Sequence, residues 1–464
     1  MSFQQRLQEI REGFAPVFWV ANGTELFERM AYYGQSAVLA IFLHESLHLS
    51  AEQTGQLLGY FGFAVWILPI IAGSLADRFG FRKSLAFAYL VLTIGYFLMG
   101  SLSASWMAPL RNTLPLYWLV FAILMVPALG PGIVKPCVVG TTARASNETV
   151  RSVGYSIYYT IVNIGGTLGP LTANLIRDRL GLGSEAVFRF SALLVFLMFL
   201  AILFFFREPA QSGEKQVPSV LAAIKNVGVV LGNHRLVVPA IFAAVVLKIL
   251  AAVYSFSPPW WAWIGLLALA LAGLNRFMWF LVIFSGFYFV FWQQYIALPL
   301  YLRGYVDPNA KVDLLLSIDP FAVISLQIVI SYVTRKIPTF RAMTLGLFIA
   351  STSWLFLLAG KSTWLVVTAL VVLALGEMML SPRLYEYISR LAPSGQQGTY
   401  MGFAFFPVAI GYFIAGPFGG FLVQHYGEVV RQPARIWWVI SGIGLAATLL
   451  MWIYDRVVKP GSKS

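Results

Sequence analysis

Apolar windows near the ~20 residues that carry a helix across a bilayer recur along the whole 464-residue chain. The composition agrees: 59% hydrophobic, 11% charged, mean hydropathy +0.77, against about 45–50% and about 25% in soluble domains. This is a polytopic membrane protein rather than a soluble domain with one anchor. The period-2 alternation of a membrane barrel is absent, so the expected fold class is all-α. Hydropathy windows place spans near 16–43, 55–76, 84–104, 115–141, 152–176 and 186–206. A second series follows near 236–256, 259–274, 279–302, 314–334, 341–359, 363–388, 398–422 and 435–455. That makes fourteen; "SFSPPWWAW" permits only a tight hairpin inside 236–274, and leaving that pair out gives twelve.

Charge placement sets the expected orientation. With an even number of spans both termini share one side, and most of the 32 Lys and Arg fall there, so the positive-inside rule makes the termini cytoplasmic and the cell (inner) membrane the expected location. The net charge of +13 then reads as topology and attraction to anionic lipid, not as a nucleic-acid surface, because the basic groups are scattered over short loops without interleaved aromatics. Arg6, Glu9, Arg11 and Glu12 precede the first apolar run, and no small-residue cleavage site follows it, so no cleaved signal peptide is expected. Cys137 is the single cysteine, which excludes an intrachain disulfide.

The chain repeats itself weakly. "SLADRFGFRK" and "SYVTRKIPTFR" are both basic turns, each joining the second and third spans of a six-span half once 236–274 is set aside as an insertion. The expected organisation is a six-helix bundle at 1–206, a linker with two extra helices at 207–278 and a second six-helix bundle at 279–464, with the site at mid-depth between the halves. "GSLADRFGFRK" also resembles the loop motif of the major facilitator superfamily, carried by Gly73, Asp77, Arg78, Gly80, Arg82 and Lys83. Asp77 is expected to accept hydrogen bonds from a helix N-terminus while Arg78, Arg82 and Lys83 stay at the cytoplasmic face.

Three charges interrupt the first span: Glu25, Glu28 and Arg29, in "TELFERMAYYG". At helical spacing Glu25 and Arg29 are i,i+4, and Tyr32, Tyr33 and Ser36 continue one polar stripe. Charge at bilayer depth costs several kcal/mol unless paired or facing water, so this stripe should line a cavity. A structural ion pair is the plainer alternative, although two acids against one base leave an acid over, and a leftover carboxyl can exchange a proton. "GPGIVKP" adds Lys135 in the fourth span, where snorkelling towards the interface is the alternative to facing protein. In the fifth span Tyr155, Tyr158, Tyr159 and Asn163 offer contacts to a polar solute or, more simply, packing between helices.

Taken together these residues resemble the proton-coupled oligopeptide transporter family, the peptide branch of the major facilitator superfamily. The hallmark Glu-x-x-Glu-Arg followed by Tyr-Tyr-Gly falls on Glu25, Glu28, Arg29, Tyr32, Tyr33 and Gly34. The family's fourth-span Lys falls on Lys135, its fifth-span pattern on Tyr158, Tyr159, Asn163 and Gly165, and its tenth-span acid on Glu377. The resemblance implies a major facilitator fold and a secondary symporter, not an enzyme, that imports di- and tripeptides by alternating access. Its partners would be protons, short peptides and the lipid bilayer; it would act as a monomer, without nucleic acid, metal or a cofactor beyond the coupling proton. Arg29 and Lys135 would receive a carboxylate, Glu377 an ammonium group, and Asn163 with the tyrosines the peptide backbone. Glu25, Glu28, Arg29 and Lys135 would carry the proton coupling.

Departures cluster in the cavity. The family's paired Arg late in the first span and Glu in the seventh are both missing: Ser36 stands at the first, and "GFYFVFWQQYIALPL" offers only Gln293 and Gln294. Phe61 stands where a binding-site Tyr is common, Ala404 where Trp is frequent and Asp319 where Asn is usual, which makes Asp319 the spare candidate for a second proton site. Phe61, Gln293, Gln294 and Asp319 therefore join the expected substrate-binding set. Two other functions compete. A member with this altered cavity could carry a non-peptide anion such as nitrate or an organic acid. "HESLH", His44 to His48, spells a zinc-protease motif with Glu45 as base, though no further ligand is indicated.

Overall fold

The computed structural model describes residues 12–209, 230, 232–253, 257–392 and 397–458, and among these it is helical throughout, with two isolated β-bridges and no strand. Every predicted window holds helix. Nine helices among the described residues are long and apolar enough to cross a membrane. The first helix, Pro16–Ile41, opens on a proline whose missing N–H would have had no helical partner, and runs on as a π-turn, Phe42–Ser46. The second starts at a capping box, where Ser50 Oγ accepts Gln53 N and Gln53 Oε1 accepts Ser50 N, both 3.1 Å. It breaks at Leu68, before Pro69, into Ala51–Ile67 and Pro69–Phe79. Phe81–Met99, Leu116–Arg144, Arg151–Asn174 and Gly183–Phe205 are the third to sixth.

The inserted pair, His234–Val253 and Trp260–Ala272, packs against itself. Its second helix has 13 residues, about 20 Å at 1.5 Å per residue, short of the ~30 Å hydrocarbon core. The seventh helix is discontinuous: Arg276–Trp292 ends, Gln293–Ile296 turns, and Ala297–Tyr301 resumes. Ile318–Thr334, Thr339–Ser353, Thr363–Leu391, Phe406–Leu422 and Arg435–Val458 complete the second half as the eighth to twelfth. The linker reading at 207–235 falls largely outside the described residues.

The halves meet most extensively between the second and eleventh helices. The contact is backbone on backbone: a Cβ on Gly55 would fall against the Gly416 carbonyl and 2.8 Å from Gly420 Cα, so only glycine permits this approach. At this end, opposite the termini, Arg303 also reaches across to Glu45 with two hydrogen bonds of 2.9 Å. Beside it Asp313, which opens the eighth helix, takes Asn174 (3.2 Å) and Arg177 (3.4 Å) from the end of the fifth. The end of the molecule away from the termini is thereby closed by charge pairs and glycine contacts between halves.

Candidate functional site

At mid-depth the first helix buries Glu25, Glu28 and Arg29 almost completely. Arg29 Nε is 2.5 Å from Glu28 Oε2 and 3.4 Å from Glu25 Oε1, and the Tyr158 hydroxyl donates to Glu25 Oε1 at 3.5 Å. Spacing accounts for Glu25 and Arg29, one turn apart on one helix face, whereas Glu28, the neighbour of Arg29 in the chain, reaches it only by bending of the two long side chains. The first helix reaches the fifth this closely because Gly165 has no Cβ; one there would lie 2.7 Å from Arg29 Cβ. Satisfaction is incomplete: Arg29 Nη2, Glu25 Oε2, Glu28 Oε1 and the Tyr32 hydroxyl lack hydrogen-bond partners. A buried charge cluster with four open positions among the described residues costs free energy unless something completes it.

Lys135 stands beside this cluster without joining it. Its Nζ lies 4.5 Å from the Trp66 ring centre and 5.2 Å from that of Phe405, and among the described residues it makes no ion pair. The two rings stack on each other at 6.0 Å. Trp66 belongs to the second helix and Phe405 to the turn opening the eleventh, so the ammonium lies against aromatic rings from both halves. Lys135 therefore faces protein, not the lipid interface. Pro131 and Pro136 within its helix shape the backbone there.

The second half contributes acids. Asp319 and Glu377, from the eighth and tenth helices, lie close to one another, and Gln294 in the break of the seventh donates from Nε2 to Asp319 Oδ2 at 3.2 Å. Tyr33 and Tyr159 of the first half approach this pair, and Asn163 Nδ2 donates to the Tyr159 carbonyl of its own helix. The other expected residues lie elsewhere. Gln293 donates to the Ala415 carbonyl at 3.2 Å, so it ties the broken seventh helix to the eleventh and is fully buried. Phe61 is packed in the core at 1% exposure and presents no surface to a solute in this conformation. Ser36 accepts from Gln35.

At the loop motif, Gly80 turns the chain with φ 88° and the exposed Arg78 lies 5.9 Å from the Phe79 ring. Gly73 and Asp77 lie in the helix Pro69–Phe79, but the surroundings of Asp77 are outside the described residues. The third helix is capped by Glu208, whose two oxygens accept Phe81 N at 2.7 Å and Arg82 N at 2.9 Å, while Arg82 reaches the Leu203 carbonyl. Lys83 is exposed. Sequence reasoning did not single out Glu208; its only signal is an acid directly after the sixth apolar run. The zinc-protease alternative loses its geometry. His44 Nδ1 is 2.8 Å from the Leu49 carbonyl, Glu45 is held by Arg303, and His48 sits past the helix end at φ 55°, so the two imidazoles do not share one helix face.

The sequence pattern of the Major Facilitator Superfamily matches residues 24–406 and 280–464. Dipeptide and tripeptide permease B of Salmonella typhimurium is 23% identical over 96% of this chain and 97% of its own length. Peptide transporter YePEPT of Yersinia enterocolitica is 24% identical over 86% of each. Among solved structures, the POT family transporter PepTSo superposes with a TM-score of 0.76 at 17% identity, covering 97% of this chain and 99% of that one. A POT family transporter in complex with 5-aminolevulinic acid gives 0.72 at 19% identity, covering 96% of each. With the broken seventh helix, the glycine-packed second and eleventh helices and a charged cluster between two helical halves, the chain belongs to the major facilitator superfamily.

Proposed function

We infer that this protein is a proton-coupled symporter that imports di- and tripeptides by alternating access, with both termini in the cytoplasm and without a cofactor beyond the proton. The observation that carries the reading is polarity across the site. Cations, Arg29 and Lys135, stand in the first half; acids, Asp319 and Glu377, stand in the second; tyrosines lie between them. A free peptide has a carboxylate at one end and an ammonium at the other, so it would meet both poles in one orientation, bridging the halves. The relatives support the substrate class: they are dipeptide and tripeptide permeases, and one structural neighbour binds 5-aminolevulinic acid, which also carries an ammonium and a carboxylate.

In this reading the state described is the one closed towards the outside, held by Glu45–Arg303, Arg177–Asp313 and the glycine contacts of the second and eleventh helices. Glu25 and Glu28 exchange a proton against Arg29, and a substrate carboxylate competes with them for the same guanidinium. Proton and substrate then bias one equilibrium. The test is uptake into proteoliposomes: an imposed inward proton gradient should drive accumulation of a labelled dipeptide, abolished by a protonophore. Absence of peptide uptake together with gradient-driven uptake of nitrate or an organic acid would replace the peptide reading with the anion carrier.

A further inference from the structure

The two halves carry basic turns at corresponding places, between the second and third helices and between the eighth and ninth, and their charges are balanced differently. In the first half Glu208 brings a carboxylate onto the turn, accepting Phe81 N at 2.7 Å and Arg82 N at 2.9 Å. In the second half the stretch from Ser331 to Arg341 holds Arg335, Lys336 and Arg341 and no acid. All three are exposed, and among the described residues none forms an ion pair. Of the acids on neighbouring helices, Glu386 of the tenth is taken by Arg390 of its own helix, and Asp455 of the twelfth pairs with none of the three. Where the first half has Glu208 before Pro209, the sequence of the second has Lys459 before Pro460, a cation in place of the acid.

The turn keeps its acceptors inward. Arg383 of the tenth helix donates to the Thr334 carbonyl at 2.6 Å and the Ile337 carbonyl at 2.9 Å, and Ile337 N also donates to Thr334. Outside stand the cations, with the Arg335 guanidinium 4.2 Å from the centre of the Tyr332 ring. Towards mid-membrane the exposed surface becomes apolar. On the eighth helix Phe321, Ile324, Ile328 and Tyr332 form one exposed stripe at helical spacing, and on the ninth Leu345 and Phe348 follow Arg341 at i+4 and i+7. Both helices pack against the tenth, with no extensive contact to each other among the described residues, so the turn spans the end of the tenth and a stripe runs from it on either side. From Phe321 to Tyr332 the stripe is about 16 Å long at ~1.5 Å per residue, close to half of the ~30 Å hydrocarbon core, which is one leaflet. Tyr332 then falls at headgroup depth, with the three cations just beyond it.

We propose that Arg335, Lys336 and Arg341 bind the headgroup phosphate of an anionic glycerophospholipid whose acyl chains lie along the exposed stripes of the eighth and ninth helices. A face this apolar on a membrane span meets acyl chains in any bilayer; the charge at its end is what selects among lipids. Guanidinium forks and an ammonium within one turn complement phosphate oxygens, whereas a zwitterionic headgroup brings an ammonium of its own against them. A second copy of the chain packed here by two-fold symmetry would set like charges against like. The matching turn of the first half is the weaker anion site, because Glu208 already lies on it. No residue of the cavity between the halves takes part, so the inference stands or falls independently of the peptide reading.

Native mass spectrometry of the full-length protein in detergent, titrated with phosphatidylglycerol or phosphatidylcholine, tests this. Wild type should retain phosphatidylglycerol about tenfold more strongly than phosphatidylcholine. Arg335→Gln, Lys336→Gln and Arg341→Gln should each weaken phosphatidylglycerol binding about fivefold, and the triple variant about a hundredfold, with phosphatidylcholine unaffected. The single variants carry the test should the triple variant fail to fold. Arg335→Lys with Arg341→Lys should keep most of the binding, and Arg78→Gln with Lys83→Gln in the first-half turn should change it little. Equal retention of the two lipids by wild type, unaltered binding in the Gln variants, or an equal loss from the first-half pair overturns the proposal. Displacement of phosphatidylglycerol by millimolar inorganic phosphate would make this a site for a free anion, and a wild-type dimer that the Gln variants dissociate would make it an interface between copies; either result also overturns it.

Discussion

The two polar clusters of the site are built on opposite plans. In the first half a guanidinium sits between two acids of its own helix, all within four residues. In the second half two acids from separate helices lie close together, one of them held by an amide from a third, and among the described residues no cation forms an ion pair with either. The Glu25–Arg29 pair of the first is one that helical spacing alone brings together; the second exists only because three helices cross at one point. In the proposed reading the first cluster is where a carboxylate is received and the second where an ammonium is. The contrast also explains how both the first-helix Arg and the seventh-helix acid can be absent together. Ser36 and Gln294 are neutral, so neither leaves a partner stranded, and Gln294 instead donates to Asp319 one helix further on.

The comparison breaks most sharply at Arg29. Arg29→Ala leaves Glu25 and Glu28 buried without a countercharge, which costs about 3–5 kcal/mol, so the purified variant should show a large loss of thermal stability and no proton-driven accumulation. Glu28→Gln and Lys135→Ala leave more of the fold's charge balance intact. Both should still abolish accumulation in proteoliposomes; uptake equal to wild type would mean that the first-half cluster is structural only.

On the other side, Glu377→Gln should weaken dipeptide binding by at least roughly tenfold, about 1.4 kcal/mol, and barely alter binding of an N-acetylated dipeptide, as read by thermal shift or calorimetry. A similar loss for both peptides would detach Glu377 from the amino terminus. Trp66→Leu removes one of the two rings against Lys135 and should cost about 0.5–2 kcal/mol, visible as altered affinity for substrates that keep their carboxylate and not for C-terminal amides. The smallest effect belongs to Glu45→Gln at the outer closure. That pair is partly exposed, so its loss is worth about 0.2–1 kcal/mol and should appear as faster labelling, from outside, of a cysteine placed at Ser36.

Local rules made part of this legible in advance. Helical windows follow from hydropathy, since a bilayer leaves the backbone no partner but itself. The Glu25–Glu28 and Glu25–Arg29 proximities follow from spacing, because i+3 and i+4 neighbours along a helix are fixed before any tertiary contact forms. The Glu25–Arg29 stripe, the closed-end glycines' helices and the proline-bounded fourth helix were thus readable from neighbours in the chain. Contacts between helices were not, because they depend on how each helix is rotated and where it crosses another. Hydropathy gave Gln293 and Gln294 equal standing, and the break of the seventh helix turned one to the eleventh-helix backbone and the other to Asp319. Lys135 carries the same charge wherever it points; only the meeting of Trp66 and Phe405 from opposite halves set it against two rings. Glu208 became a cap through a turn 127 residues away, and Asp319 met Glu377 because the eighth and tenth helices pack side by side. The sequence by itself determined the solvent the chain lives in, its helices and the charges of one helix face; the tertiary structure decided which charges meet, since a pairing between distant helices is written in no single segment.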